Sequence, residues 1–298
     1  MKSLVTGGAG FIGSNLVETL LGIGHTVVCV DNESSDAHDK PYWNNNSINI
    51  RGDIRDYTLM SSAMEGVDYV FHLAAEARIQ PAIENPINAV SVNDLGTATV
   101  LQCARENQVK KFMFSSTSAA YGRNDSPNVE TQSPDPLNPY SVTKLNGENL
   151  CRMYTELFGL PTVIFRYFNV YGPRQPVRGQ YAPVLGIFKR QKDAGEPLTI
   201  VGDGNQRRDF VHVEDVARAN VMAALADPGQ DAYGEVYNIG TGKNFSVNEI
   251  AEMFMHEKTY IAPRPGEARV SLANNQKMRN TFGWTPTHDL EKWISEQL

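Results

Sequence analysis

The chain has 298 residues, 41% hydrophobic and 20% charged, which suits one or two globular domains with a sizeable core. Its formal net charge of -7 argues against a protein that coats nucleic acid or an anionic membrane, and no apolar run approaches the roughly 18 residues of a membrane span. The three cysteines, Cys29, Cys103 and Cys151, are scattered without metal spacing; neither a disulfide framework nor a metal centre is expected, and with no signal peptide in view the chain is placed in the cytoplasm.

Short apolar runs at residues 3–5, 26–30, 48–51, 69–73, 112–115 and 162–165 read as strands. Amphipathic stretches lie between several of them, as at 12–21 and 90–106. This alternation predicts an α/β fold, a doubly wound parallel sheet covered on both faces. Beyond Phe165, proline and arginine crowd residues 171–180, a helix is expected near 182–194 and a strand near 198–201. Residues 211–226 and 235–239 read as returns to the sheet, and Ser246 with Glu249 forms a capping box ahead of another helix. The expected division is a nucleotide-binding domain over 1–170, rejoined by 210–242, with 171–298 mainly a smaller substrate-binding domain.

The first strand runs into Thr6-Gly7-Gly8-Ala9-Gly10-Phe11-Ile12-Gly13 and then a helical pattern. Gly7, Gly10 and Gly13 allow a tight turn, close approach to a pyrophosphate and close helix–strand contact. The helix start aims free N–H groups and partial positive charge at the phosphates. Asp31 closes the second strand, where a carboxylate accepts from an adenosine ribose and repels a 2′-phosphate, favouring NAD over NADP. Asp53, after the third strand, could reach the adenine edge.

Tyr140 and Lys144 sit one helical turn apart after a proline-rich segment. A lysine there, with an oxidised nicotinamide beside it, would bring the phenol down from about 10 and let it take a hydroxyl proton as hydride leaves carbon. Thr117, after the fifth strand, is the candidate third hydroxyl, with Ser116 and Ser118 as rivals. A Tyr-xxx-Lys spacing alone is common; behind a glycine loop it points to redox chemistry.

On these motifs the chain resembles the extended short-chain dehydrogenases/reductases, in particular the UDP-glucose and UDP-N-acetylglucosamine 4-epimerases. Further matches are Asp31-Asn32, Gly52-Asp53-Ile54, His72-Leu73-Ala74-Ala75, Asn93, the segment Arg166 to Gly172, Arg208-Asp209-Phe210, Arg264-Pro265-Gly266-Glu267 and Phe282-Gly283-Trp284-Thr285-Pro286. The resemblance implies a Rossmann sheet with a smaller C-terminal substrate-binding domain. It implies NAD held by Gly7, Gly10, Phe11, Ile12, Gly13, Asp31, Asn32, Asp53, Ile54, Leu73, Ala74, Ala75, Asn93, Tyr140, Lys144 and Tyr167. Thr117, Tyr140 and Lys144 would be catalytic, and Asn169, Arg208 and Arg264 would hold the pyrophosphate of a UDP-sugar, as guanidinium forks suit phosphate. Arg174, Arg178, Arg207 and Arg269 stay ambiguous.

Related dehydratases carry Asp-Glu after the catalytic hydroxyl and related decarboxylases carry Glu at the second place; here Ser118 and Ala119 stand there, and Ala119 transfers no proton. The expected reaction is therefore 4-epimerisation through a transient 4-keto sugar. The family's pocket gate falls on Ser271, which would leave room for an N-acetyl group, so UDP-GlcNAc/UDP-GalNAc, with or without UDP-Glc/UDP-Gal, is the expected substrate. A UDP-glucuronate epimerase using Arg78 or Arg178, or a non-catalytic NAD binder, are the alternatives. The family also implies a homodimer through the helix after Tyr140, to which Leu145, Leu150, Met153 and Leu157 could contribute.

Overall fold

A computed structural model describes residues 1–38, 40–177, 182–263, 266 and 268–297. Strand β1 (Lys2–Thr6) turns into helix α1 (Phe11–Gly22), followed by β2 (Thr26–Asp31), β3 (Ile48–Arg51), α2 (Tyr57–Ala63) and β4 (Tyr69–His72). Next come α3 (Ile79–Glu84), α4 (Pro86–Val90), a π-helical turn (Ser91–Leu95), α5 (Gly96–Glu106), β5 (Lys111–Thr117), α6 (Pro139–Phe158) and β6 (Thr162–Tyr167). The rest comprises β7 (Asn169–Tyr171), α7 (Val184–Asp193), β8 (Leu198–Val201), β9 (Arg207–His212), α8 (Val213–Leu225), β10 (Glu235–Ile239), β11 (Asn244–Ser246), α9 (Val247–Met253), β12 (Lys258–Ile261), α10 (Gln276–Phe282) and α11 (Leu290–Gln297).

The central sheet has seven parallel strands in the order β10-β6-β5-β4-β1-β2-β3. β1, β4, β5 and β6 are buried along nearly their whole length, which explains their unbroken apolar runs. Two apolar cores cover the faces: Leu16, Leu20, Phe71, Phe165 and Trp284 belong to one, and Val70, Val100, Leu101, Phe112 and Ile164 to the other. The order reverses between β1 and β4, and a crevice at the carboxyl ends of the strands opens there.

The second half does not form a continuous block. Helix α8 packs on α1 and β10 extends the central sheet, whereas β7, β9 and β11 make a three-stranded sheet and β8 pairs with β12. A third core, with Phe188, Leu198, Ile200, Phe245 and Phe254, sits beneath these smaller sheets. Two details depart from the sequence reading. The expected helix over 90–106 is interrupted by the π-helical turn, which carries Asn93. Strand β5 also runs on to Thr117, so that residue ends the strand instead of following it. Among the described residues, no helix is long and apolar enough to cross a membrane. All three cysteines are buried and free.

Candidate active site

The strand ends open on one cavity of about 630 Å³. Its floor is the glycine loop. Gly7 has φ +69°, and a Cβ there would meet the Ala74 backbone nitrogen at 2.8 Å; a Cβ on Gly13 would fall 2.1 Å from the Gly7 carbonyl. Only glycine lets α1 approach β1 and the 73–75 loop this closely. Helix α1 begins with no side-chain cap and no acidic residue in its first turn, so nothing competes with an anion for its N–H groups. Asp31 is fixed at the end of β2 by the Ala9 N–H (3.1 Å) and the Glu33 N–H (2.8 Å). This cradle fits a dinucleotide pyrophosphate and its ribose.

Gly7, Gly10, Phe11, Ile12, Gly13, Asp31, Asn32, Ile54, Leu73, Ala74, Ala75 and Tyr167 line the cavity. Asp53 and Asn93 are not among the lining residues. The Asp53 carboxylate is forked by Arg55 (2.9 and 2.6 Å), which holds its carboxyl at about 2. Asn93 is buried; it accepts from the Glu76 N–H (2.8 Å) and donates to the Glu76 carbonyl (3.1 Å) and to Thr143 Oγ1 (2.9 Å). It braces the loop beside the cavity against α6.

Helix α6 starts on an Asn138 cap, with Pro139 at its first turn and a reciprocal Asn138–Ser141 box. That start sets Tyr140 in the first turn, where the helix dipole favours an anion. Thr117, Tyr140 and Lys144 all line the cavity. Thr117 accepts the Ala119 N–H (3.1 Å), and its hydroxyl lies close enough to Tyr140 to lower that phenol's pKa. Of its rivals, Ser116 is occupied, donating to Glu148 Oε1 at 2.6 Å. Ser118 and Ala119 border the cavity where a dehydratase needs its acid pair.

The electrostatics differ from the expectation. Burial pushes the Tyr140 phenol up, and the Thr117 hydrogen bond offsets this only in part. Lys144 Nζ donates to the Ser115 carbonyl at 2.8 Å, and burial brings its ammonium down to about 8. In the protein alone, burial thus favours the neutral phenol.

This buried cation has a consequence for stability. An unfolded lysine keeps its proton to about pH 10.4, whereas Lys144 loses it near 8, so stability rises with pH between those values. Below pH 8 the full cost, about 3 kcal/mol, is in place. The unfolding free energy of cofactor-free protein, compared with Lys144→Met in urea, should move in favour of the wild type by about that amount from pH 8 to pH 10.4. A difference independent of pH would remove the buried cation.

The opposite wall comes from β7, β9 and the segment around residue 271, where Asn169, Arg208 and Ser271 line the cavity. Strand alternation separates the arginines. Arg207 turns outward to Asn244 Oδ1 (2.9 Å) and Glu249 (2.9 Å), while Arg208 faces the cavity. Backbone hydrogen bonds between Arg207 and residues 269 and 271, each 3.0 Å, hold Ser271 beside it. Arg174 is bound to Glu18 (2.6 Å) and Arg269 to Asp203 (2.6 Å), so neither lies free for phosphate. Arg264 and Arg178 lie outside the described residues.

Spacing alone missed two groups. The buried Ser116, Glu148 and Arg166 meet behind the catalytic strand. His212, Glu214 and His288 offer ligand atoms within 4.8 Å of one another, away from the cavity. The two imidazoles stack at 4.1 Å and 19°, so their in-plane lone pairs run side by side. His288 is held by Asp215 (3.1 Å) and Glu214 (3.2 Å), which ties the tail to the start of α8.

Comparison with known proteins agrees with this geometry. The model of the NAD dependent epimerase/dehydratase family matches residues 3–240. A solved UDP-glucose 4-epimerase from Thermotoga maritima, with UDP-glucose, superposes with a TM-score of 0.93 at 37% identity, covering 99% of this chain and 96% of that one. A UDP-N-acetylglucosamine 4-epimerase from Methanobrevibacter ruminantium, in complex with UDP-N-acetylmuramic acid, gives 0.91 at 33%, with 99% and 96% covered. A UDP-glucuronate 4-epimerase of Thermodesulfobacterium geofontis is 34% identical over 316 residues, 99% of this chain and 94% of the relative.

Proposed function

Since the chain belongs to the NAD-dependent epimerase/dehydratase family, among its UDP-sugar 4-epimerases, we propose that it interconverts UDP-GlcNAc and UDP-GalNAc, and UDP-glucose and UDP-galactose as well. The observation that carries this reading is the meeting of Thr117, Tyr140 and Lys144 in one cavity, between the glycine cradle and the Asn169–Arg208–Ser271 wall.

Tyr140 takes the proton of the sugar 4-hydroxyl, and Thr117 holds that oxygen. Lys144 keeps the phenol oriented and its ionised form stabilised. Bound NAD supplies the hydride acceptor and, in its oxidised form, a positive charge beside the phenol. Arg208 and Asn169 hold the diphosphate. The flat 4-keto sugar turns about its phosphate linkage while the nucleotide stays anchored, and Tyr140 returns the proton once the other face is presented. Binding energy from the nucleotide keeps the intermediate captive. A small serine at 271 leaves room for an acetamido group.

The UDP-glucuronate reading needs a cation for the C6 carboxylate. Arg78 lines the cavity, where Asp36 engages it at 2.6 Å, and the other candidate, Arg178, lies outside the described residues. Purified enzyme assayed with UDP-GlcNAc, UDP-glucose and UDP-glucuronate separates these readings: turnover of the first two supports ours, and turnover of glucuronate alone refutes it. A homodimer through α6 belongs to the same reading: Leu157 is exposed there, with Val142 exposed one turn into the helix and Ile87 on α4 nearby.

A further inference from the structure

Two successive residues of β5 are tied to one face of α6, and the third stands next to that helix's first turn. The Ser115 carbonyl accepts from Lys144 Nζ at 2.8 Å, Ser116 Oγ donates to Glu148 Oε1 at 2.6 Å, and the next residue, Thr117, lines the cavity with Tyr140, close enough for its hydroxyl to lower that phenol's pKa. Residues 140, 144 and 148 fall on one helical stripe, four apart. Glu148 does not point there freely. Arg166 of β6 grips it in a fork, Nε to Oε1 at 2.8 Å and Nη2 to Oε2 at 2.7 Å, and the guanidinium carbon lies 4.5 Å from the centre of the Tyr121 ring. Glu148 is 0% exposed, Arg166 1% and Ser116 3%, so the link is sealed from water. None of the three lies within reach of a ligand except at Ser116, whose hydroxyl is already spent on Glu148.

We propose that Ser116, Glu148 and Arg166 are positioning residues that set the Thr117 hydroxyl against Tyr140. The proposal rests on the reading of Thr117 and Tyr140 as the reacting pair. A strand end has few constraints of its own, because its last residue lacks a following ladder partner. The Ser116 hydroxyl supplies one. Its bond to a carboxylate that Arg166 has immobilised fixes the rotation of β5 about its axis at residue 116. Thr117 points to the opposite side of the strand, so fixing residue 116 fixes where the Thr117 hydroxyl emerges. Glu148 and Lys144 share the same stripe as Tyr140, so both reacting groups are referenced to one rigid helix. A displacement near 1 Å of such a group costs about 100-fold in rate.

The most selective probe is Ser116→Ala, which removes one hydroxyl and leaves the Glu148–Arg166 pair intact. Its kcat should fall about 10- to 100-fold, with the KM of the sugar nucleotide and the affinity for NAD, read by calorimetry, within about twofold of wild type. Ser116→Thr keeps the hydroxyl on a β-branched residue suited to a strand and should restore most of the rate. The decisive readout is a double-mutant cycle. In a Thr117→Ala background, Ser116→Ala should cost nothing further, because a positioning residue has no effect once the group it positions is gone. Two losses that multiply would overturn the proposal, as would an unchanged kcat in Ser116→Ala. The reading of the site fails separately, if Thr117→Ala itself leaves kcat untouched.

Discussion

Tyr140→Phe is expected to lower kcat by about 10³- to 10⁴-fold while the protein keeps its fold and its NAD. The variant removes one oxygen and nothing else. The ring stays wedged in the first turn of α6, and Asn138 still caps the helix. The lost hydroxyl interacts with Thr117 among the described residues, and burial already disfavours its charged form, so the cost to stability is about 1 kcal/mol or less. What disappears is the group proposed to take the 4-hydroxyl proton. Thr117 cannot replace it, since its oxygen accepts the Ala119 N–H and a neutral hydroxyl is a poor base. Turnover followed by NMR, with bound NAD measured by absorbance and the fold by circular dichroism, checks the three parts together. A variant that turns over normally would show that this phenol is not the base.

Ser271→Tyr separates substrates. Ser271 is 8% exposed and stands in the cavity wall, 3.5 Å from the Asn169 side chain. Its backbone is pinned to β9 through the Arg207 carbonyl, so a tyrosine there could not swing away with the chain. The ring would fill the space left for an acetamido group. Turnover of UDP-GlcNAc should drop about 100-fold or more, while UDP-glucose keeps most of its rate. Competing the two sugars in one tube gives the ratio of kcat/KM directly. Equal losses on both would mean that residue 271 supports the wall without gating it.

The doubly wound sheet was legible because its strands are buried on both faces, and burial writes itself into sequence as unbroken apolar runs. The cofactor floor was legible because a dinucleotide needs glycine at fixed spacing, and Gly7 and Gly13 meet steric limits no other residue satisfies. The pair of Tyr140 and Lys144 was legible because four residues make one helical turn. Other features are products of tertiary packing. Nothing local distinguishes Arg208 from Arg207; only the direction each faces in β9 does. The bonds of the Asn93 amide to the Glu76 backbone and Thr143 have no signature in the sequence. Ser116, Glu148 and Arg166 come from three elements, and His288 meets His212 across 76 residues of sequence, so neither group has a motif. The direction of the Tyr140 shift was also out of reach, since desolvation depends on how completely the folded chain encloses the ring.

The central claim is that C4 is oxidised and reduced in place, with its own hydrogen returned. Incubating the enzyme with UDP-GlcNAc in heavy water and following H4 by NMR tests it most directly. The account predicts that UDP-GalNAc appears with ordinary hydrogen at C4. Deuterium at C4 in the product would mean inversion by exchange with solvent and would contradict it.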